Sequence, residues 1–131
     1  MNMEQIYEYL RNCGIFYIAT TEEEQPHVRP FGSVSIFEEH LYIVTTNEKK
    51  VFHQMLKNPK IEISAMYNNS WIRLKAEVVY DHRRDARQAI WDQNTLDPMY
   101  SVDNGKTEVF YLKNAIATIY SATATPIVIS F

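Results

Sequence analysis

From residue 15 onward, short runs rich in β-branched and aromatic residues are joined by polar connections of hairpin length. Ile15 to Thr20 (IFYIAT), Leu41 to Thr46 (LYIVTT), Ile61 to Tyr67 and Trp71 to Tyr80 are such runs. The polar stretch TEEEQ, the segment Glu38 to His40 and Asn68-Asn69-Ser70 each supply turn chemistry between them. Parallel neighbours need a crossover of about a dozen residues or more, so connections this short favour an antiparallel barrel over a doubly wound α/β sheet.

Helical spacing appears in three places. Ile6, Tyr9 and Leu10 predict a short helix that stops at Asn12 to Gly14. Val51, Phe52, Met55 and Leu56 predict a second, with Asn47 as its N-cap and Asn58-Pro59 as its end. Ala86, Ala89 and Ile90 form the apolar stripe of a third, over Arg83 to Asn94. Asp97 to Lys106 reads as loop, and Thr107 to Ser121 as one long strand or a bent pair. The expected fold is therefore mainly β, a six-stranded antiparallel barrel with two or three short helices.

The segment PHVRPFGSVSIF alternates, with Val28, Val34 and Ile36 on one side and His27, Arg29, Phe31, Ser33 and Ser35 on the other. Arg29 is thus expected to face away from the main apolar row. Pro26 and Pro30 lack backbone donors and Gly32 weakens a strand, so this element belongs at an edge or bend. Its unpaired backbone groups could serve a ligand.

The 131 residues, 46% of them apolar, suit one domain spanning 1–131 around one core. A net charge of −3 provides no diffuse positive field for nucleic-acid phosphates, so any anion must be held by individual cations. The lone Cys13 cannot form an internal disulfide and fits a reducing, cytoplasmic setting. MNMEQIYEYLRN does not read as a signal peptide, and no run approaches the ~18 apolar residues of a membrane span. With three glycines, neither a dinucleotide fingerprint nor a phosphate loop can be built. His27, His40 and His82 are scattered, and no Cys/His pair has zinc-ligand spacing, so no metal is expected.

One constellation carries chemistry. Arg29 on a strand, Thr45 and Thr46 ending another, and Lys49 and Lys50 in the first turn of a helix combine positive charge, hydroxyls and free helix N–H groups. Those are the parts of a site for a phosphomonoester dianion. Two lysines at a helix start oppose the helix dipole, which implies a compensating anion. Gln54, one turn on, could offer its amide to a polar ligand edge, and His53 beside it is a candidate proton donor. Arg83, Arg84 and Arg87 beside Asp81 and Asp85 read as a salt-bridged helix face. Trp91, Phe110, Tyr111 and Tyr120 suit core or interface packing as well as the wall of a flat ring.

The strings Pro26-His27-Val28-Arg29-Pro30-Phe31-Gly32, Leu41 to Asn47, Lys49 to Pro59, Trp71-Ile72-Arg73-Leu74 and Glu108 to Leu112 together resemble the pyridoxamine 5′-phosphate oxidase-like FMN-binding split barrels. The similarity is to the general flavoprotein branch, which includes nitroimidazole-reductase-like members. The resemblance implies a six-stranded split barrel of Greek-key type that forms a homodimer, with two FMN molecules in grooves at the subunit interface. It implies that Arg29 and either Lys49 or Lys50 hold the FMN phosphate, assisted by Thr45 and Thr46. Backbone groups of Val28, Arg29, Pro30 and Phe31 and the Gln54 amide would lie along the isoalloxazine ring. Trp71 and Arg73 would reach toward the partner subunit's groove.

The resulting expectation is an FMN-dependent oxidoreductase reducing a small-molecule acceptor, with no catalytic side chain assigned. Thr125 to Phe131 carries no Arg or Lys, whereas the oxidases of this family grip their phosphorylated substrate with a basic C-terminal segment. Oxidation of pyridoxine phosphates is therefore not expected. Two alternatives stand beside this reading: a split barrel holding haem or a deazaflavin, and a module that binds a metabolite or protein without turnover.

Overall fold

The polar connections turn the chain back on itself as their length requires. A computed structural model describes residues 2–131. The chain runs α1 (Met3–Cys13), β1 (Phe16–Glu22), β2 (Gln25–Phe31), β3 (Ser35–Phe37), β4 (His40–Thr46), α2 (Lys50–Lys57), β5 (Lys60–Tyr67), β6 (Ser70–Asp81), α3 (Arg84–Gln93), a 3-10 turn (Pro98–Tyr100), β7 (Thr107–Ser121) and β8 (Ile127–Ser130). Every pairing is antiparallel, and the strand path is β2-β1-β5-β6-β7-β4-β3, with β8 added beside β7.

Eight strands replace the expected six. The Pro26 to Phe37 segment is broken between Phe31 and Ser35 into β2 and β3, and Ile127–Ser130, a run of four residues after Pro126, pairs with residues 116–119 of β7. Thr107 to Ser121 is one continuous strand of 15 residues. Between Asn68 (φ 45°) and Asn69 (φ 59°) the β5–β6 hairpin turns through two left-handed residues, which asparagine tolerates.

β7 organises the split in the sheet. On one side it pairs with β6; on the other, residues 107–111 pair with β4 and residues 116–119 with β8. β3 covers only His40 to Tyr42 of β4. Beyond that point Ile43 to Thr46 are paired on the β7 side alone, leaving a free strand edge. β2, at the far end of the path, has β1 as its one neighbour and presents a second free edge.

β4 is buried on both faces, which explains why LYIVTT lacks alternation. Leu41 and Ile43 join the main core with Phe16, Ile18, Met55, Ile63, Leu74 and Phe110, while Tyr42 and Val44 join a second cluster under α3 with Ala86, Ile90 and Val109. α2 buries Val51, Phe52, Gln54 and Met55 against the main core.

Two local expectations are corrected. On β2 the side chains facing inward are His27, Arg29 and Phe31, whereas Val28 is 67% exposed. Arg29 therefore lies on the core side: its aliphatic stem and the Phe31 ring fill the face, while Pro26, Val28 and Pro30 point out. Asn47 is not the N-cap of α2; the cap position is Lys49, without a side-chain cap bond. The Asn47 amide instead donates to the Gly105 carbonyl at 3.0 Å, and its backbone N–H to Lys106 O at 2.9 Å, tying the turn before α2 to the start of β7.

Candidate functional site

Where β3 stops covering β4, a cavity of about 360 Å³ lies between the free edges of β2 and β4. Arg29 to Ser33 form one wall, Val44 and Thr45 another, Lys49 and Val51 the approach to α2, and Asn94 to Asp97 with Tyr100 the side beneath α3. Its boundary thus combines strand edge, apolar side chains, the polar Thr45, Asn94 and Thr95, two cations and the Asp97 carboxylate.

Arg29 is held from behind. One terminal nitrogen donates to Ile18 O (3.1 Å) and Thr20 Oγ1 (2.8 Å), the other to Gln54 Oε1 (2.6 Å). Thr20 Oγ1 also donates to Gln54 Oε1 at 2.6 Å, and the Gln54 nitrogen reaches Glu22 at 3.3 Å. Thr20 and Gln54 are both buried. Burial pulls the Arg29 pKa below its ordinary value, yet a guanidinium stays charged in proteins. Its acceptors within the barrel are neutral oxygens, and among the described residues it forms no ion pair.

Lys49 is the second cation. Its Nζ donates to the Tyr100 hydroxyl at 2.7 Å and lies 5.1 Å from the Tyr100 ring centroid. Among the described residues it too has no carboxylate partner. Thr45 completes the polar lining. It is 1% exposed, and its hydroxyl is the one buried side-chain polar atom among the described residues without a hydrogen-bond partner. A buried hydroxyl left unsatisfied costs about 1–3 kcal/mol, and Thr45 is among the residues that line the cavity.

The sequence-derived candidates divide accordingly. Arg29, Pro30, Phe31, Thr45 and Lys49 line the cavity. Thr46 is buried beside it and accepts the Lys49 backbone N–H through its carbonyl at 3.1 Å. Gln54 stands behind Arg29 rather than in the wall, Lys50 is exposed outside it, and Val28 points outward. Trp71 and Arg73 lie elsewhere on the outer face of β6, where Trp71 stacks on Tyr120 with ring centroids 5.5 Å apart and Arg73 pairs with Glu62 at 3.5 Å. His53 Nε2 contacts the Asn47 carbonyl at 2.9 Å and does not line the cavity.

Sequence reasoning missed Thr20, Val44, Leu96, Asp97 and Tyr100. Thr20 did leave a signal: it is the polar residue in the inward row Phe16, Ile18, Thr20, as Gln54 is on the buried face of α2. Tyr100 left none, because a loop places it.

The model of the pyridoxamine 5′-phosphate oxidase family matches residues 3–114. The chain belongs to this family. Among solved structures it is 45% identical to a NimC/NimA family protein from Clostridium acetobutylicum, covering 99% of this chain and 92% of that one with a TM-score of 0.94. A pyridoxamine 5′-phosphate oxidase-related, FMN-binding protein from Nostoc punctiforme (14% identity, TM-score 0.68, 98% of this chain and 95% of that one) shares the fold. So does a heme-binding protein from Mycobacterium smegmatis (13%, TM-score 0.71, 95% and 57%). No curated protein matches the chain. The fold is thus shared by an FMN-binding and a heme-binding protein.

Proposed function

We propose that the chain binds FMN in the cavity between β2 and β4 and, as a homodimer, uses it to reduce a small acceptor. The observation carrying this reading is that one cavity is lined by Thr45, whose buried hydroxyl has no partner, and by two cations, Arg29 and Lys49, that form no ion pair among the described residues. A phosphomonoester dianion answers all three at once.

These residues fit FMN. Lys49 Nζ and Thr45 Oγ1 would hold the phosphate, with Arg29 adding a fixed positive charge that Thr20 and Gln54 keep in place. The free edges of β2 and β4 supply backbone groups for the polar rim of the ring, and Phe31, Val44, Val51 and Leu96 supply apolar wall that excludes water. When bound, FMN supplies the redox chemistry; the protein orients it and leaves one side open to substrate.

Homodimerisation is supported by the outer face of the sheet. Tyr17, Val28, Met66 and Trp71 are exposed there, and Pro30, Tyr17, Ser64, Arg73 and Thr118 follow one another across five paired strands. A second copy packed on this face would bring the Trp71 and Arg73 of one protomer toward its partner's groove. The described lining of the cavity includes none of the four histidines, and haem usually takes an axial ligand such as His, which favours flavin.

Fluorescence titration of the purified protein with FMN tests the reading. Saturable quenching at one FMN per chain, with thermal stability rising as ligand is added, is the expected result. A colourless protein with no saturable binding and no thermal response to FMN overturns it.

A further inference from the structure

Lys49 and Lys50 are adjacent, yet their surroundings differ. Lys49 meets an aromatic hydroxyl, with Nζ donating to Tyr100 OH at 2.7 Å. Lys50 makes no side-chain hydrogen bond or ion pair among the described contacts and lies outside the cavity lining.

Tyr100 is itself fixed. It ends the 3-10 turn, whose N-cap Asp97 accepts from Met99 N at 2.9 Å, and its own N–H bonds the Asp97 carbonyl at 2.9 Å. The Asn104 side chain holds Met99 O at 2.8 Å, and Thr107 Oγ1 holds Ser101 O at 2.8 Å. The Tyr100 ring packs on the second core beneath α3. A flexible lysine stem is thereby matched to a stationary partner.

We propose that Tyr100 is a positioning residue that selects Lys49, not Lys50, as the ammonium presented to a phosphomonoester in the cavity. The inference rests on the FMN reading and extends it to a loop on the far side of the site. The phenol oxygen takes one of the three ammonium donors, leaving two donors for phosphate oxygens. Ordering a long side chain before the ligand arrives removes that cost from binding.

The test uses FMN and riboflavin, which differ by the phosphate, against wild type, Tyr100→Phe, Tyr100→Leu, Lys49→Ala and the double variant Lys49→Ala/Tyr100→Leu. The wild type is expected to prefer FMN. Tyr100→Leu is expected to reduce that preference by about three- to tenfold while riboflavin affinity holds, and to cost nothing further once Lys49 is gone. Tyr100→Phe, which removes the hydroxyl and keeps ring and volume, is expected to lose the same preference and carries the test should Tyr100→Leu fail to fold. Equal losses for both flavins, or an undiminished effect of Tyr100→Leu in the Lys49→Ala background, overturn the positioning role while leaving the FMN reading standing. A wild type that binds neither flavin overturns both.

Discussion

Replacing Thr45 by valine is expected to make the ligand-free protein more stable and the FMN complex weaker. The two residues have nearly the same shape and valine suits a β-strand, so the change amounts to deleting one hydroxyl. In β4 that hydroxyl is 1% exposed and has no partner. Its desolvation costs about 1–3 kcal/mol, and removing it recovers a fraction of this, about 1 kcal/mol. For a chain of 131 residues that raises Tm by about 3–5 °C. In the complex, a hydrogen bond to a charged phosphate oxygen worth about 1.5–3 kcal/mol disappears, a loss of roughly tenfold or more in affinity. Differential scanning fluorimetry of flavin-free protein and fluorescence titration with FMN read the two effects separately. A destabilised flavin-free variant would mean that Thr45 already has a partner, and unchanged FMN affinity would mean that the partner is not the phosphate; either result refutes the reasoning.

Further expectations follow from other parts of the molecule. Arg29→Ala should weaken FMN by about 1–3 kcal/mol, measured by titration, because a fixed positive charge beside the phosphate is lost. Gln54→Leu leaves Arg29 and Thr20 without their shared acceptor and should destabilise the protein by about 2 kcal/mol in urea denaturation, even without flavin. Met66→Asp on the outer sheet face should shift the molar mass seen by light scattering from dimer toward monomer; an unchanged dimer would place the interface elsewhere. Burial alone would raise the Asp81 carboxyl, but hydrogen bonds from Arg83 and Tyr42 override it and hold the pKa at about 2. Its folded pKa lies below the unfolded one, so the stability it adds, about 2 kcal/mol, is fully present above about pH 5 and is lost as pH falls toward 2. Urea midpoints at pH 5 and pH 3 should differ less in Asp81→Asn than in wild type.

Much of this fold was legible because its strands and turns are locally determined. Asn68-Asn69 dictates a hairpin whatever surrounds it, and LYIVTT cannot be mistaken for a solvent-facing strand. Legibility failed where tertiary partners decide. β8 is a strand because β7 offers it an edge at residues 116–119; four residues after Pro126 are too short a run to declare a strand alone. On β2 the alternation assigns Val28 to the core face, and the structure reverses it. On an edge strand beside two outward prolines, the valine is exposed and the arginine stem lies inside, where Thr20 and Gln54 supply the oxygens its guanidinium needs.

The candidate site divides in the same way. Arg29, Pro30, Phe31, Thr45 and Lys49 were readable as one constellation, since they sit at the ends of elements that a hairpin-built sheet brings together. Nothing local distinguishes Lys49 from Lys50; the difference arises from Tyr100, fifty-one positions away in the chain and placed by a turn that the Asp97 cap and Asn104 stabilise. The Asn47 side chain was equally unreadable, because the Gly105 carbonyl it binds is a tertiary partner more attractive than the helix start.

A crystal structure of the protein with FMN addresses the central claim most directly. The phosphate is expected against Lys49 Nζ and Thr45 Oγ1, with the ring along the free edges of β2 and β4. Phosphate density at another place on the molecule, with Thr45 still lacking a partner, would contradict it.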